Sequence, residues 1–156
     1  MKKIFLLIFI FLHFHSVSLA KNLKFKKIAS LDKPWGSSFI SNDEIIITEK
    51  SGKIKIVNIL NGNVAEIEHN LNFLEYGQGG LLDILYKENF IYVSYTENRA
   101  NWKTSTSIAK AKLDRQNLLF KNIFQANPPI DSGYHFGSRL AIKDNYLFAS
   151  AGERGQ

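Results

Sequence analysis

Phe136-Gly-Ser-Arg-Leu-Ala141, followed after a polar turn by Tyr146-Leu-Phe-Ala-Ser150, reads as a glycine, a strand, a turn and a more apolar strand. The same order occurs twice before it. Trp35-Gly-Ser-Ser-Phe-Ile40 precedes Glu44-Ile-Ile-Ile-Thr48, and Gly79-Gly-Leu-Leu-Asp-Ile84 precedes Phe90-Ile-Tyr-Val-Ser94. Gly36, Gly80 and Gly137 mark the starts, at spacings of 44 and 57 residues. A period of about 40–50 residues with four short strands per unit is the signature of a β-propeller. The innermost strand of each blade is expected to follow the glycine and to face the central channel.

The intervening sequence agrees. Lys53-Ile-Lys-Ile-Val57 alternates cleanly, and Ser51-Gly52 turns into it. Asn61-Gly62-Asn63 leads into a strand at Val64–Glu68, and Thr106–Lys112 is another. Asp114–Asn117 is a turn, and Leu118–Phe124 is expected to be one further strand. Leu71–Tyr76 reads as a loop or a short helix. No sustained helical period occurs after Lys21, so the class is all-β.

The first segment has a different character. Met1-Lys2-Lys3 is a positive start, Ile4–Phe14 is almost wholly apolar, and Ser18 and Ala20 are small residues at peptidase-readable positions. Residues 1–20 are therefore expected to be a secretory signal peptide, with a periplasmic or secreted mature chain. The apolar run is shorter than the ~20 residues that span a bilayer, so no stable membrane span is expected after cleavage. His13 and His15 leave with the leader, so the mature chain keeps His69 and His135.

Residues 21–156 are expected to be the N-terminal part of a propeller domain. At about 45–50 residues per blade they supply two blades and half of a third, whereas the smallest propellers need about four. A small open sheet or sandwich is the rival architecture.

Composition narrows the chemistry. The apolar fraction is 45% and aromatics make up 13%, enough for a packed core. There is no cysteine, which excludes disulfides and thiolate chemistry. Twenty basic and fourteen acidic side chains give a formal charge of +6. The lysines are scattered; Lys24, Lys26 and Lys27 alternate with apolar residues as a strand would, a solvated face and not a nucleic-acid stripe.

Three polar clusters sit at the unit starts or strand ends. Gly77-Gln78-Gly79-Gly80 is first of all a glycine turn; its other reading is a close approach to a ligand, with Gln78 offering both a donor and an acceptor. No helix follows, which excludes a dinucleotide fingerprint. In Tyr134-His135-Phe136-Gly137-Ser138-Arg139, His135 is either a structural histidine bonded to backbone or a base for a substrate hydroxyl. Arg139 either binds an anion in the channel or pairs with an acid between blades, the more usual fate of a strand arginine. Gly152-Glu153-Arg154-Gly155-Gln156 is a polar glycine loop open to either role. His69, between Glu68 and Asn70, reads as a surface turn residue.

In this order and spacing, the elements Pro34-Trp35-Gly36, Gly77-Gln-Gly-Gly-Leu-Leu-Asp83, His135-Phe-Gly-Ser-Arg-Leu140 and Gly152-Glu-Arg-Gly155 resemble the soluble pyrroloquinoline-quinone (PQQ)-dependent sugar dehydrogenases. These are the glucose/sorbosone and aldose sugar dehydrogenase family. The resemblance covers the chain from about Leu31 onward. It implies a six-bladed propeller with the quinone across the mouth of its channel. It implies His135 as general base on the C1 hydroxyl of an aldose sugar, with hydride passing to PQQ and on to an external electron acceptor. Gln78, Tyr134 and His135 are the implied cofactor contacts. Calcium is implied beside the quinone, with no metal ligand within these 156 residues. The family's later cationic residues also lie beyond Gln156, so the 156 residues alone are not expected to turn over. The competing reading is a non-catalytic exported propeller that binds carbohydrate or a protein partner, since the fold alone does not decide.

Overall fold

The computed structural model describes residues 24–99 and 101–155. The expected leader lies outside the described residues. Among the described residues there are eleven strands and no helix.

β1 (Pro34–Phe39), β2 (Glu44–Glu49), β3 (Lys53–Asn58) and β4 (Val64–His69) form an antiparallel meander. β5 (Leu81–Lys87), β6 (Phe90–Asn98) and β7 (Thr104–Lys112) repeat it. β8 (Asn117–Leu118) crosses back and pairs parallel with β4, whereas β9 (Lys121–Gln125) completes the second sheet beside β7. β10 (Gly137–Lys143) and β11 (Tyr146–Ala151) form a third, two-stranded sheet. These are two propeller blades and the inner half of a third, as the repeat predicts.

Alternation sets the faces. In β3, Ile54 and Ile56 point inward while Lys53 is exposed. They join Ile46, Ile67, Leu81, Ile84, Ile91 and Val93 in one core that runs across the first two blades.

Three local expectations are corrected and one open reading is settled. The stretch Leu118–Phe124 is two strands, because Asn70 breaks it. Its side-chain oxygen accepts the Phe120 N–H at 2.8 Å and its nitrogen donates to the Phe120 carbonyl at 3.2 Å. That turns the chain between two blades, with Leu118 and Phe120 both buried in the core. Lys24–Lys27 are exposed, as a solvated face should be, but their alternation makes no strand: they pair with no sheet, and Phe25 is exposed with them. Of its two readings, Leu71–Tyr76 is the loop, pinned to the end of β6 by a bridge from Phe73 to Glu97 and by Asn72 Nδ2, which donates to the Asn98 carbonyl at 3.1 Å.

The third correction is one of phase. The equivalent positions are not the three glycines but Gly36, Asp83 and Arg139. Each inner strand carries a bulge at the same point: Trp35-Gly36 oppose Thr48, Leu82-Asp83 oppose Ser94, and Ser138-Arg139 oppose Ser150. In all three the hydroxyl accepts the bulge N–H at 3.0 Å, from Gly36, Asp83 and Arg139 respectively. The hydroxyl proton then goes to the next blade. Thr48 donates to the Leu82 carbonyl at 2.5 Å, and Ser94 to the Ser138 carbonyl at 2.6 Å.

Two further contacts lock the blades. Asp83 accepts from the Leu140 N–H at 2.7 Å and from Arg139 Nη1 at 3.1 Å. At Gly36 a Cβ would lie 2.7 Å from the Asp83 Cα, so only glycine lets β1 approach β5 this closely.

Ser94→Ala strands the Asp83 N–H and the Ser138 carbonyl in a buried interface. It is expected to lower the unfolding free energy in a denaturant titration by about 1–3 kcal/mol. A loss below about 0.3 kcal/mol would show that the hydroxyl bridge contributes little.

Candidate functional site

Every inner strand starts, and every second strand ends, at the same edge of the arc. The three polar loops therefore meet there: Gly77–Gly80 ahead of β5, Ser132–Phe136 ahead of β10, and Gly152–Gly155 after β11.

The middle loop is held chiefly through the carbonyls of Ser132, Gly133, Tyr134 and Phe136. The Ser132 carbonyl accepts from Thr104 Oγ1 at 3.1 Å and from Arg154 Nη2 at 2.5 Å. The Gly133 carbonyl accepts the Gln78 N–H at 2.7 Å. The Tyr134 carbonyl accepts from Arg154 Nε at 2.9 Å. The Phe136 carbonyl accepts the Gly152 N–H at 3.1 Å and Thr106 Oγ1 at 3.2 Å. A Cβ on Gly152 would overlap the His135 carbonyl oxygen, which explains glycine there.

His135 sits in the left-handed region, with φ 47°. That conformation is uncommon for a residue with a side chain and is held here by its surroundings. Its N–H donates to Gln78 Oε1 at 2.9 Å. Its ring Nδ1 is hydrogen-bonded to Glu153 Oε1. Glu153 in turn accepts the Gly155 N–H at 3.1 Å. A carboxylate acceptor favours the Nδ1–H tautomer and leaves Nε2 as the basic nitrogen. The imidazole is half exposed, and Nε2 has no protein partner among the described residues. The hydrogen bond from His135 holds the Glu153 carboxyl below its ordinary value of 4.5, helped by its own and the Gly155 N–H groups.

The structure brings together all three residues expected at the site. Gln78 is adjacent to His135 but has a role the sequence did not indicate: its carbonyl oxygen is occupied in bracing His135, and its amide nitrogen has no partner among the described residues. Tyr134 is exposed, with its ring edge-on to the imidazole at 6.2 Å between centroids. Arg139 pairs with an acid between blades, the second of its two readings. His69 is not a surface turn residue but the end of β4. Its Nδ1 accepts the Leu71 N–H at 3.3 Å, and its Nε2 lies 2.7 Å from the Gly52 carbonyl.

Two residues were missed as members of the site. Glu153 orients the imidazole. Arg154 is buried under Phe136, its guanidinium 3.6 Å from the ring centre. The only sequence signal for either was the polar glycine loop itself. Among the described residues no group of three or more His, Asp or Glu could hold a metal ion.

The profile of the Glucose / Sorbosone dehydrogenase family matches residues 31–156. The chain belongs to that family. Aldose sugar dehydrogenase YliI of Escherichia coli K12 is 31% identical over 136 residues, covering 81% of this chain and 37% of the relative. An uncharacterized Synechocystis protein, slr1608, is 34% identical over 143 residues, covering 82% of this chain and 34% of its own. The chain thus spans little more than a third of the curated relatives it matches. The soluble aldose sugar dehydrogenase of E. coli, solved in its apo form, superposes with a TM-score of 0.75 at 29% identity, over 81% of this chain and 39% of that one. The PQQ-bound aldose sugar dehydrogenase of Streptomyces coelicolor has a TM-score of 0.69 at 21% identity, over 84% of this chain and 41% of that one, and shows the shared fold.

The depressed Glu153 carboxyl keeps its pairing with His135 intact above the ordinary carboxylate range and loses it as pH falls through the lowered value. The Glu153 carboxyl carbon, followed by NMR, is expected to titrate at higher pH in His135→Ala than in the parent. Equal midpoints would contradict the pairing.

Proposed function

We propose that this chain is the N-terminal part of an exported PQQ-dependent aldose dehydrogenase in which His135 removes the proton of the sugar C1 hydroxyl. The observation that carries this reading is the state of the His135 ring. Nδ1 is engaged by Glu153 and Nε2 is open, the arrangement a general base needs at neutral pH.

The residues fit one flank of a flat, polyanionic quinone. Tyr134 offers an exposed ring, and Gln78 an amide donor whose other end is fixed by His135. When bound, the quinone supplies the two-electron, hydride-accepting capacity that no side chain has. Gln78 and Tyr134 would hold it beside the imidazole. His135 Nε2 takes the hydroxyl proton, and Glu153 stabilises the imidazolium that results. The released proton and electrons leave to solvent and to an external acceptor. Calcium finds no ligand set among the described residues, so no step is assigned to it. The leader, by its sequence pattern, would deliver the protein to the periplasm or beyond.

The test is dye reduction by several aldoses with the full-length protein loaded with quinone. Quinone-dependent reduction is expected, and His135→Ala should lower kcat by about 10²–10⁴-fold with the fold retained. A folded parent without quinone-dependent reduction would overturn the reading in favour of a binding propeller, and an undiminished variant would remove His135 as the base.

A further inference from the structure

Arg154 is an unusual cation. It is 8% exposed, and among the described residues no carboxylate pairs with it. Neutral oxygens satisfy it instead: the Tyr134 carbonyl through Nε, and the Ser132 carbonyl and Thr104 Oγ1 through Nη2, the last at 2.6 Å. Burial accordingly lowers its affinity for a proton, although it stays charged. An arginine buried in this way is costly unless its hydrogen bonds do something specific.

What they join is informative. The guanidinium grips two carbonyls just ahead of His135, at Ser132 and Tyr134, and covers the ring of the residue after it, Phe136. Its own backbone lies one residue after Glu153, and its carbonyl accepts Ser132 Oγ at 2.6 Å. One side chain thus fixes the loop that carries the imidazole to the loop that carries the carboxylate. Gln78 braces the same segment from the loop ahead of β5.

We infer that Arg154 is a positioning residue that holds His135 and Glu153 in register, so that the imidazole stays in its Nδ1–H tautomer with Nε2 open. The planar fork is essential to this role. A lysine ammonium is a point charge that cannot serve carbonyls on two sides while lying flat on Phe136. The consequence for turnover rests on the function proposed above; the consequence for the imidazole does not.

The experiment has two arms. In the first, long-range proton–nitrogen NMR of the apo protein reads the tautomer of each imidazole. The parent is expected to show His135 protonated at Nδ1 and His69, by its contacts, at Nε2. In Arg154→Lys and Arg154→Met, His135 should become a mixture while His69 is unchanged. In the second arm, the quinone-loaded full-length protein is assayed with an aldose. Both variants should lose at least about tenfold in kcat with KM changed less than about threefold, because the base is displaced and not the sugar contacts. Thr104→Val, which withdraws one acceptor of the fork, should fall between. An unchanged His135 tautomer in a folded variant would overturn the inference. So would failure of both Arg154 variants to fold, since that would make Arg154 a residue of the fold and not of the site. Absence of activity in the parent would count against the proposed function alone, leaving the NMR arm to decide.

Discussion

One hydroxyl per blade ties this arc together. Thr48, Ser94 and Ser150 each face a two-residue bulge on their own inner strand and accept its N–H; the first two pass their proton to the neighbouring blade. A bulge in an inner strand leaves ladder groups without their regular partner, and a buried unpaired N–H or carbonyl is expensive. A single Thr or Ser satisfies the N–H of one blade and the carbonyl of the next. Replacing apolar contact alone, it also fixes register, because a slip of one residue would present a side chain in its place.

The site depends on this constraint. The bulges lie at the start of the inner strands, so the loops leading into them are drawn to one edge. There Gln78, Tyr134, His135 and Glu153 converge although 75 residues of chain separate the first from the last. The positive φ of His135 is sustained by bonds to Gln78 and to the loop carbonyls, and not by its own preference. The same edge holds Lys50, whose ammonium donates to the Gly77 carbonyl at 2.5 Å. Each loop is thus braced by a residue from another blade or loop, the usual requirement for a rigid functional constellation.

Much of this was legible in the sequence, and the exceptions have physical causes. The strands with clean alternation, such as Lys53–Val57, were found with nearly their full extent, because period-two patterning reports burial directly. The family resemblance pointed to His135, Gln78 and Tyr134, and the structure sets these three side by side. What the sequence did not show was the phase of the repeat. Glycines were the visible marks, yet the structural equivalents are Gly36, Asp83 and Arg139, three different residue types joined only by a shared bulge. Nor did it show that Asn70 splits Leu118–Phe124, since the partner lies 50 residues away. Glu153 and Arg154 were hidden for the same reason: their roles are set by contacts 18 to 50 positions back along the chain, which alternation does not encode.

The most direct test of the account is a crystal structure of the full-length protein with quinone and an unreacted aldose analogue in place. The account predicts His135 Nε2 at about 3 Å from the C1 oxygen of the sugar, with Nδ1 still on Glu153 and the Gln78 carbonyl still on the His135 N–H. A sugar bound elsewhere, with the His135 ring turned away from C1 or released from Glu153, would contradict it.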